Sequence, residues 1–381
     1  MIGLVVFWGC AFLVTYTYLL YPLVIFAWAR LAPRPSFTDD SYLPTVSMVI
    51  AAHNEEAVLA DKVANCSDLD YPEDKLEVLI GSDGSSDRTA AIARTSTHCN
   101  IAVTEFSERR GKPAVLNDLV AMANGEILVF SDANTMYEPH AIRRLVRHFA
   151  DPLVGGVCGH LALLPRRAGA AAHEGLYWRY ENWLKSLESR AGSVVGANGA
   201  IYAIRRSGYQ PLPLARLVPD DFLIPIRVLE QGYRFIYEPD AVATELTSTT
   251  AKGEFLRKAR IGASDFNVLP ELLPLLNPRS GLIAFMLLSH KVIRWLVPIL
   301  ALVALATNLW LLRWPLMRLA LAIQVCFYLV AAIGFVSERV GLNVGLLTVP
   351  CYLVSANTAL LSGLWRSLSG SQPATWQRGR D

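Results

Sequence analysis

Charged residues are missing from the two ends of this chain and spread through its middle. Ile2 to Trp28 carries no charge, a run longer than the ~20 apolar residues that cross a bilayer core. Further apolar runs at 292–312, 315–336 and 341–363 are separated by Arg313, by Ser337-Glu338-Arg339 and by a Gly/Asn turn. They predict one N-terminal transmembrane helix and about three C-terminal ones. Between the ends the pattern changes. Thr45–Ala52, Leu76–Gly81, the weaker Ile101–Phe106 and the run from Ile127 to Ser131 are short, apolar and β-branched, as buried strands are. Residues 57–66, 88–96 and 113–123 have helical spacing. Repeated βα alternation predicts an α/β domain with a mainly parallel sheet and helices on both faces. The expected organisation is a transmembrane helix at 1–30, the α/β domain at 45–265, an interfacial segment at 266–291 and transmembrane helices at 292–366.

Composition agrees with a membrane protein. The chain has 381 residues, 53% hydrophobic and 18% charged, with a mean hydropathy of +0.33, too apolar for a purely soluble domain. The first span is not a cleaved signal, because nothing basic precedes it and its apolar core is too long. Arg30 and Arg34 follow it directly, and Lys291 and Arg294 stand at the mouth of the next, so the positive-inside rule puts the central domain in the cytoplasm. Three exit spans would leave Arg366, Arg378 and Arg380 outside, so the last segment is either re-entrant or an exception to the rule. The six cysteines lack metal-ligand or disulfide spacing. A net charge of +2 gives no nucleic-acid signature. The basic excess suits membrane lipid headgroups and phosphorylated substrates instead.

Candidate chemistry collects where strands end. ILVFSDANTMY (127–137) stops abruptly at Ser131-Asp132-Ala133-Asn134, and the earlier strands end in Asn54/Glu55, Asp83 and Lys112. Open α/β sheets bind ligands at the carboxyl ends of their strands, near helix N-termini. Each such end is also good turn and cap chemistry by itself. Together they make an edge with carboxylates and a cation, and neither GxGxxG nor GxxxxGK[ST] is present. Asp83 and Asp132 would repel a bare diphosphate. Mg²⁺ or Mn²⁺ on Asp132, with Asn134 offering a neutral oxygen or orienting a ligand, would let the two coexist.

The ordered set AAHNEE (51–56), GSDGSSDRT (81–89), RRGKPAVLN (109–117), FSDANT (130–135), GANGAIYAIRR (196–206) and PDDF (219–222) resembles the inverting family 2 glycosyltransferases. The resemblance covers roughly 45–265 and implies a GT-A fold, a Rossmann-like mainly parallel sheet. The membrane frame looks like that of the bacterial cellulose, hyaluronan and poly-N-acetylglucosamine synthases, implying an inner-membrane protein with a cytoplasmic catalytic domain. It further implies that Glu55 and Asp83 contact ribose and uracil, that Lys112 supports the nucleotide or its phosphates, and that Asp132 is the first Asp of a DxD metal motif. Asn134 replaces the second Asp. Asp221, in the pair Asp220-Asp221, matches the general base. Where the family carries QxxRW this chain has Arg257-Lys258-Ala259-Arg260-Ile261, so the cations remain and the stacking Trp does not. A second near-match, Lys291-Val292-Ile293-Arg294-Trp295, begins a span and reads as an interfacial anchor.

The chemistry can be argued from residue types as well. Inversion at a sugar anomeric carbon needs a base for the acceptor hydroxyl, here Asp221, and positive charge on the leaving diphosphate, here metal on Asp132 with Arg257, Lys258 and Arg260. The competing roles are a helix cap for Asp220-Asp221 after Pro219 and a lipid-facing basic stripe for the three cations. Asn198 and Gly199 form a small-residue loop that would let an acceptor sugar approach, or a tight turn. Trp178 would stack on that sugar or join the core. The expected partners are a nucleotide-sugar donor, with UDP the expected nucleotide, a polysaccharide or lipid-linked acceptor and membrane lipids. A single transfer to a polyprenyl phosphate and a non-catalytic nucleotide-binding scaffold or transporter are the alternatives. Partner subunits are left open.

Overall fold

The computed structural model describes residues 1–95, 100–164, 172–246, 251–340 and 348–371. Strands β1 (Val46–Ala52), β2 (Leu76–Asp83), β3 (Asn100–Phe106) and β4 (Ile127–Asp132) are parallel, in the order β3-β2-β1-β4. Their ends are nearly flush, since Ala52 lies beside Ser82 and Ala51 beside Asp132. All the strand-end side chains of this half therefore open on one edge.

After β4 the sheet becomes mixed. β5 (Met136–Tyr137), β6 (Val154–Leu164), β7 (Tyr202–Arg205) and β8 (Arg234–Leu246) extend it in the order β7-β6-β8-β5. β7 is antiparallel to both β4 and β6, and β5 to β8, while β6 and β8 are parallel. The parallel expectation thus holds for the half that carries the βα alternation. The reversal of β7 has a use: Tyr202, its first residue, lies beside Phe130 near the end of β4, so residues just before β7 reach the same edge as Asp132.

Alternate residues of the central strands fill separate cores. Val46, Met48 and Ile50 pack with Leu59, Ile142 and Leu145 on one face, and Val49, Leu79 and Phe130 pack with Val115, Leu119 and Phe222 on the other. A strand buried on both faces must be apolar throughout, which is why β1 and β4 were so legible. The second core continues into Tyr21, Ile25 and Ala29 of the N-terminal helix and into Met286, Leu287 and Trp295. The core of the α/β domain thus continues without a break into the apolar terminal helices.

Three helices are long and apolar enough to cross a membrane among the described residues: Ile2–Leu31, Leu282–Trp310 and Pro315–Ser337. The first two run antiparallel, because Phe7 packs with Ala304 and Leu311 while Thr17 donates to the Ser289 carbonyl at 2.8 Å. Two expectations change. The apolar helix expected at 292–312 begins at Leu282, within the segment read as interfacial: His290 is buried, and Arg294, expected at the mouth of the span, is mostly enclosed by protein. Glu188 accepts from Tyr21 Oη at 2.5 Å and lies 2.6 Å from His290 Nδ1, and Glu181 pairs with Arg294. Trp295 is likewise no lipid-facing anchor: it is 6% exposed and meets Phe222 edge-on at 5.5 Å.

The run expected to span at 341–363 is the other change; its first seven residues, 341–347, lie outside the described ones, as do Arg378 and Arg380. Thr348–Leu368 is helical but interrupted by Ser355, Asn357, Thr358 and Ser362, and it is not among the helices apolar enough to span. It runs parallel to helix Ala251–Val268, with Lys258 4.1 Å from the Tyr352 ring centroid and Ser367 donating to Asn267 at 2.6 Å. Small residues let the two backbones touch. A Cβ at Gly363 would stand 2.6 Å from both the Ala259 carbonyl oxygen and the Ala263 nitrogen. Gly363→Val should therefore cost about 1–3 kcal/mol, visible as a lower thermal unfolding midpoint in detergent; an unchanged midpoint would contradict this packing.

Candidate active site

The loops after β1 and β2 interlock. Asn54 adopts φ 53°, a left-handed conformation costly for a non-glycine residue, and its side-chain oxygen accepts from the Ser86 amide at 2.8 Å. Thr89 Oγ1 accepts from the Glu55 amide at 2.8 Å, and Asp87 from the Glu56 amide at 3.2 Å. Glu55 is 2% exposed at the start of helix Glu56–Ser67. Asp83, at the end of β2, accepts from the Arg110 and Gly111 amides at 2.7 and 2.8 Å. It thereby fixes the loop that delivers Lys112. Gly84 permits this crossing, since it has φ 59° and a Cβ there would lie 2.6 Å from Arg109 N.

Lys112 opens helix Lys112–Met122 and stands between two carboxylates, 2.9 Å from Asp132 Oδ1 and 3.1 Å from Asp220 Oδ2. Burial alone would lower its pKa, but Asp132 and then Asp220 outweigh it and hold the ammonium well above its usual range. Asp132 keeps about a third of its side chain open, 35%. Beneath it, Lys62 is fully buried, 0% exposed, and donates to Ser131 Oγ at 2.8 Å and the Thr135 carbonyl at 2.6 Å. Asn134 donates through Nδ2 to Glu245 at 2.7 Å, which leaves its Oδ1 as the acceptor end. One carboxylate and one amide oxygen fit a hard cation that takes its remaining ligands from water and phosphate. Among the described residues no three His, Cys, Asp or Glu form a complete metal cage.

Asp220 and Asp221 begin helix Asp220–Glu230, which Pro219 precedes. Pro219 holds the N-cap position without a side-chain cap, and Asp220 and Asp221 stand in the first turn. Burial first and Asp220 second push the Asp221 carboxyl up to about 6, against the pull of Lys112. Its backbone carbonyl accepts from the Ala197 amide at 2.8 Å. A Cβ at Gly199 would stand 2.9 Å from Asp221 Oδ2, so the missing side chain leaves room for the carboxylate. Asn198 is buried, pairs with Lys185 and donates to the Gly159 carbonyl at 2.7 Å. It anchors the loop, and both ends of its amide are engaged. Trp178 is partly buried against the first core.

Helix Ala251–Val268 divides the expected cation cluster. Glu254 takes Arg257 at 2.9 Å and Lys258 at 3.4 Å. Arg260 instead feels the site: burial and then Arg257 depress its pKa, while Asp132, Asp220 and Asp221 raise it. Ile261, where the family has Trp, is 41% exposed.

Several residues were missed in the sequence. Lys62 looks like any exposed helix lysine until the fold buries it. The Arg109-Arg110 doublet was visible, yet only the structure reveals that Arg109 Nε and Nη2 are buried with no hydrogen-bond partner among the described residues. Asp265, pushed up to about 8 by burial and then by Asp221, against the pull of Lys291, gave no sequence signal beyond a charge in an apolar helix turn.

The geometry has counterparts among known proteins. Residues 44–263 match the model described as "Glycosyltransferase like family 2". Among curated relatives, an N-acetylglucosaminyltransferase of Rhizobium meliloti is 27% identical over 267 residues, covering 64% of this chain and 61% of the relative. The poly-beta-1,6-N-acetyl-D-glucosamine synthase of Staphylococcus aureus is 25% identical over 245 residues, covering 62% and 58%. The chain thus spans less than two thirds of the length of these relatives. The solved mannosyltransferase PcManGT from Pyrobaculum calidifontis, in complex with GDP-Man and Mn²⁺, shares the fold with a TM-score of 0.73 at 22% identity, over 95% of this chain and 98% of that one. This chain belongs to glycosyltransferase family 2 and has the GT-A fold.

Proposed function

We propose that the protein transfers a sugar from a nucleotide-sugar to a membrane-borne polysaccharide or glycolipid acceptor, with inversion at the anomeric carbon. The observation that carries this reading is the half-buried Asp221, with its pKa near 6, beside an ammonium that joins Asp132 and Asp220. A base with a pKa close to the working pH is efficient. Asp221 takes the proton of the acceptor hydroxyl as its oxygen bonds to the anomeric carbon. The bond from that carbon to the diphosphate breaks, and the electron pair leaves with the phosphate. Lys112 and Arg260 supply positive charge on that side. Asp132 and Asn134 would hold a Mg²⁺ or Mn²⁺ ion, which supplies charge neutralisation at the diphosphate when bound. The Mn²⁺ and GDP-Man in the mannosyltransferase structure support this class of donor and metal, and the N-acetylglucosaminyl relatives support an N-acetylglucosaminyl donor.

The exposed apolar faces of the spanning helices, Ile323, Leu329 and Val336 among them, suit lipid. We read the topology as one span into the cytoplasm, then one out and one back. Helix Thr348–Leu368, with Arg366, then lies on the catalytic side, which removes the conflict with the positive-inside rule. This topology is that of an inner-membrane protein with its site in the cytoplasm. The exposed Ile261 in place of a stacking Trp favours a second acceptor, a lipid phosphate taking a single sugar. Product sizing separates the two readings, as a polymer ladder or a single sugar-lipid.

Detergent-solubilised protein incubated with UDP- and GDP-sugars should release nucleotide in Mn²⁺ or Mg²⁺; no release from any donor would refute the proposal. Asp221→Asn should lower turnover by roughly 10²–10⁴ while donor binding persists, whereas a non-catalytic nucleotide-binding protein would be indifferent. Because the base works ionised, kcat/KM should fall as pH drops through about 6. Asp220→Asn removes a like charge and should move that acid limb to lower pH. Gly199→Ala should crowd the carboxylate and reduce kcat without a matching loss of thermal stability.

A further inference from the structure

We propose that Lys62 is a positioning residue for the donor site: its buried ammonium braces the Ser131–Thr135 turn from beneath and so sets where Asp132 and Asn134 meet the donor diphosphate. The inference rests on the reading that this turn faces the diphosphate, and adds a residue that touches neither donor nor acceptor.

Lys62 projects from helix Glu56–Ser67 and is fully buried. Its ammonium bonds both ends of the turn, to Ser131 Oγ at 2.8 Å and the Thr135 carbonyl at 2.6 Å. Ser131 Oγ in turn donates to the Asp132 carbonyl at 3.2 Å. The Thr135 amide donates to the same carbonyl at 3.3 Å, closing the turn. The ammonium also lies 4.5 Å from the centroid of the Tyr137 ring, a cation–π contact. One turn along the same helix face, Asn65 exchanges two 2.8 Å hydrogen bonds with the Tyr137 backbone. The Tyr137 hydroxyl meets the Phe130 and Ala200 carbonyls at 3.0 and 3.1 Å, so the brace extends to the residue after Gly199.

The choice of lysine is what points to function. An ammonium with no carboxylate in hydrogen-bonding contact among the described residues carries a large desolvation penalty, and its direct contacts here are a hydroxyl, a carbonyl and a ring. A neutral side chain could fill the same space at lower cost. A cation beneath a turn whose carboxylate must face both Lys112 and a diphosphate holds that turn in one conformation, and groups that orient metal ligands matter nearly as much as the ligands.

The test measures binding of UDP and of GDP to the full-length protein in detergent, in Mn²⁺ and in EDTA, for wild type, Lys62→Met and Asp132→Ala. Thermal unfolding is followed in parallel. Wild type should bind one nucleotide more tightly in Mn²⁺. Lys62→Met should lose roughly 10–100-fold of that metal-dependent gain, keep its affinity in EDTA and unfold at or above the wild-type temperature. Lys62→Gln, which keeps a donor and serves if Lys62→Met does not fold, should recover part of the gain. A folded Lys62→Met that retains the full Mn²⁺ gain while Asp132→Ala loses it overturns the inference alone. If Asp132→Ala also matches wild type, the reading of Asp132 falls and takes the inference with it.

Discussion

Three carboxylates, Asp132, Asp220 and Asp221, converge on one edge of the sheet, and the Lys112 ammonium makes that tolerable. Like charges a few ångströms apart in a half-buried site raise one another's pKa or force the chain apart. Lys112 bonds Asp132 at the end of β4 and Asp220 at the start of the next catalytic helix. The remaining carboxylate, Asp221, is left to carry the elevated pKa, near 6. One cation thus bridges two carboxylates and leaves the third with a raised pKa. Asp83 delivers that cation by holding the two amides before it.

The same reasoning applies where the catalytic domain meets the membrane helices. Tyr21, Glu188, His290, Glu181 and Arg294 form a buried chain of hydrogen bonds and ion pairs across the N-terminal helix, helix Ala172–Ala191 and the second span. Buried charges demand partners in fixed geometry, so this chain locks the orientation of the catalytic domain against both spans. Trp295 on Phe222 links it to the helix that begins with Asp220 and Asp221.

The strand order explains how so few residues build the site. Parallel strands present their carboxyl ends, so β1, β2 and β4 deliver Glu55, Asp83 and Asp132 to one edge. An antiparallel strand presents its amino end there instead. By reversing, β7 brings Asn198 and Gly199 beside Asp221. The loop read as a place for an acceptor sugar also makes room for the Asp221 carboxylate and bonds its backbone.

Local pattern alone was enough to read the parallel half-sheet, the N-terminal apolar helix and the strand-end residues Glu55, Asp83, Lys112 and Asp132, whereas Asp221 was picked out by its motif. Buried strands need unbroken apolar runs, and the chain must end each run before a polar side chain can face solvent. What only the tertiary structure decided concerns partners distant in sequence. Glu254 withdraws Arg257 and Lys258 from the cation cluster, Glu245 takes the Asn134 amide, and burial turns Lys62 from a surface lysine into a brace. Arg294 read as an interfacial anchor and His290 gave no signal, because composition reports charge and not its counter-ion. Their partners, Glu181 and Glu188, lie about a hundred residues earlier, at separations of 102 to 113 positions, and only the packed fold brings them together.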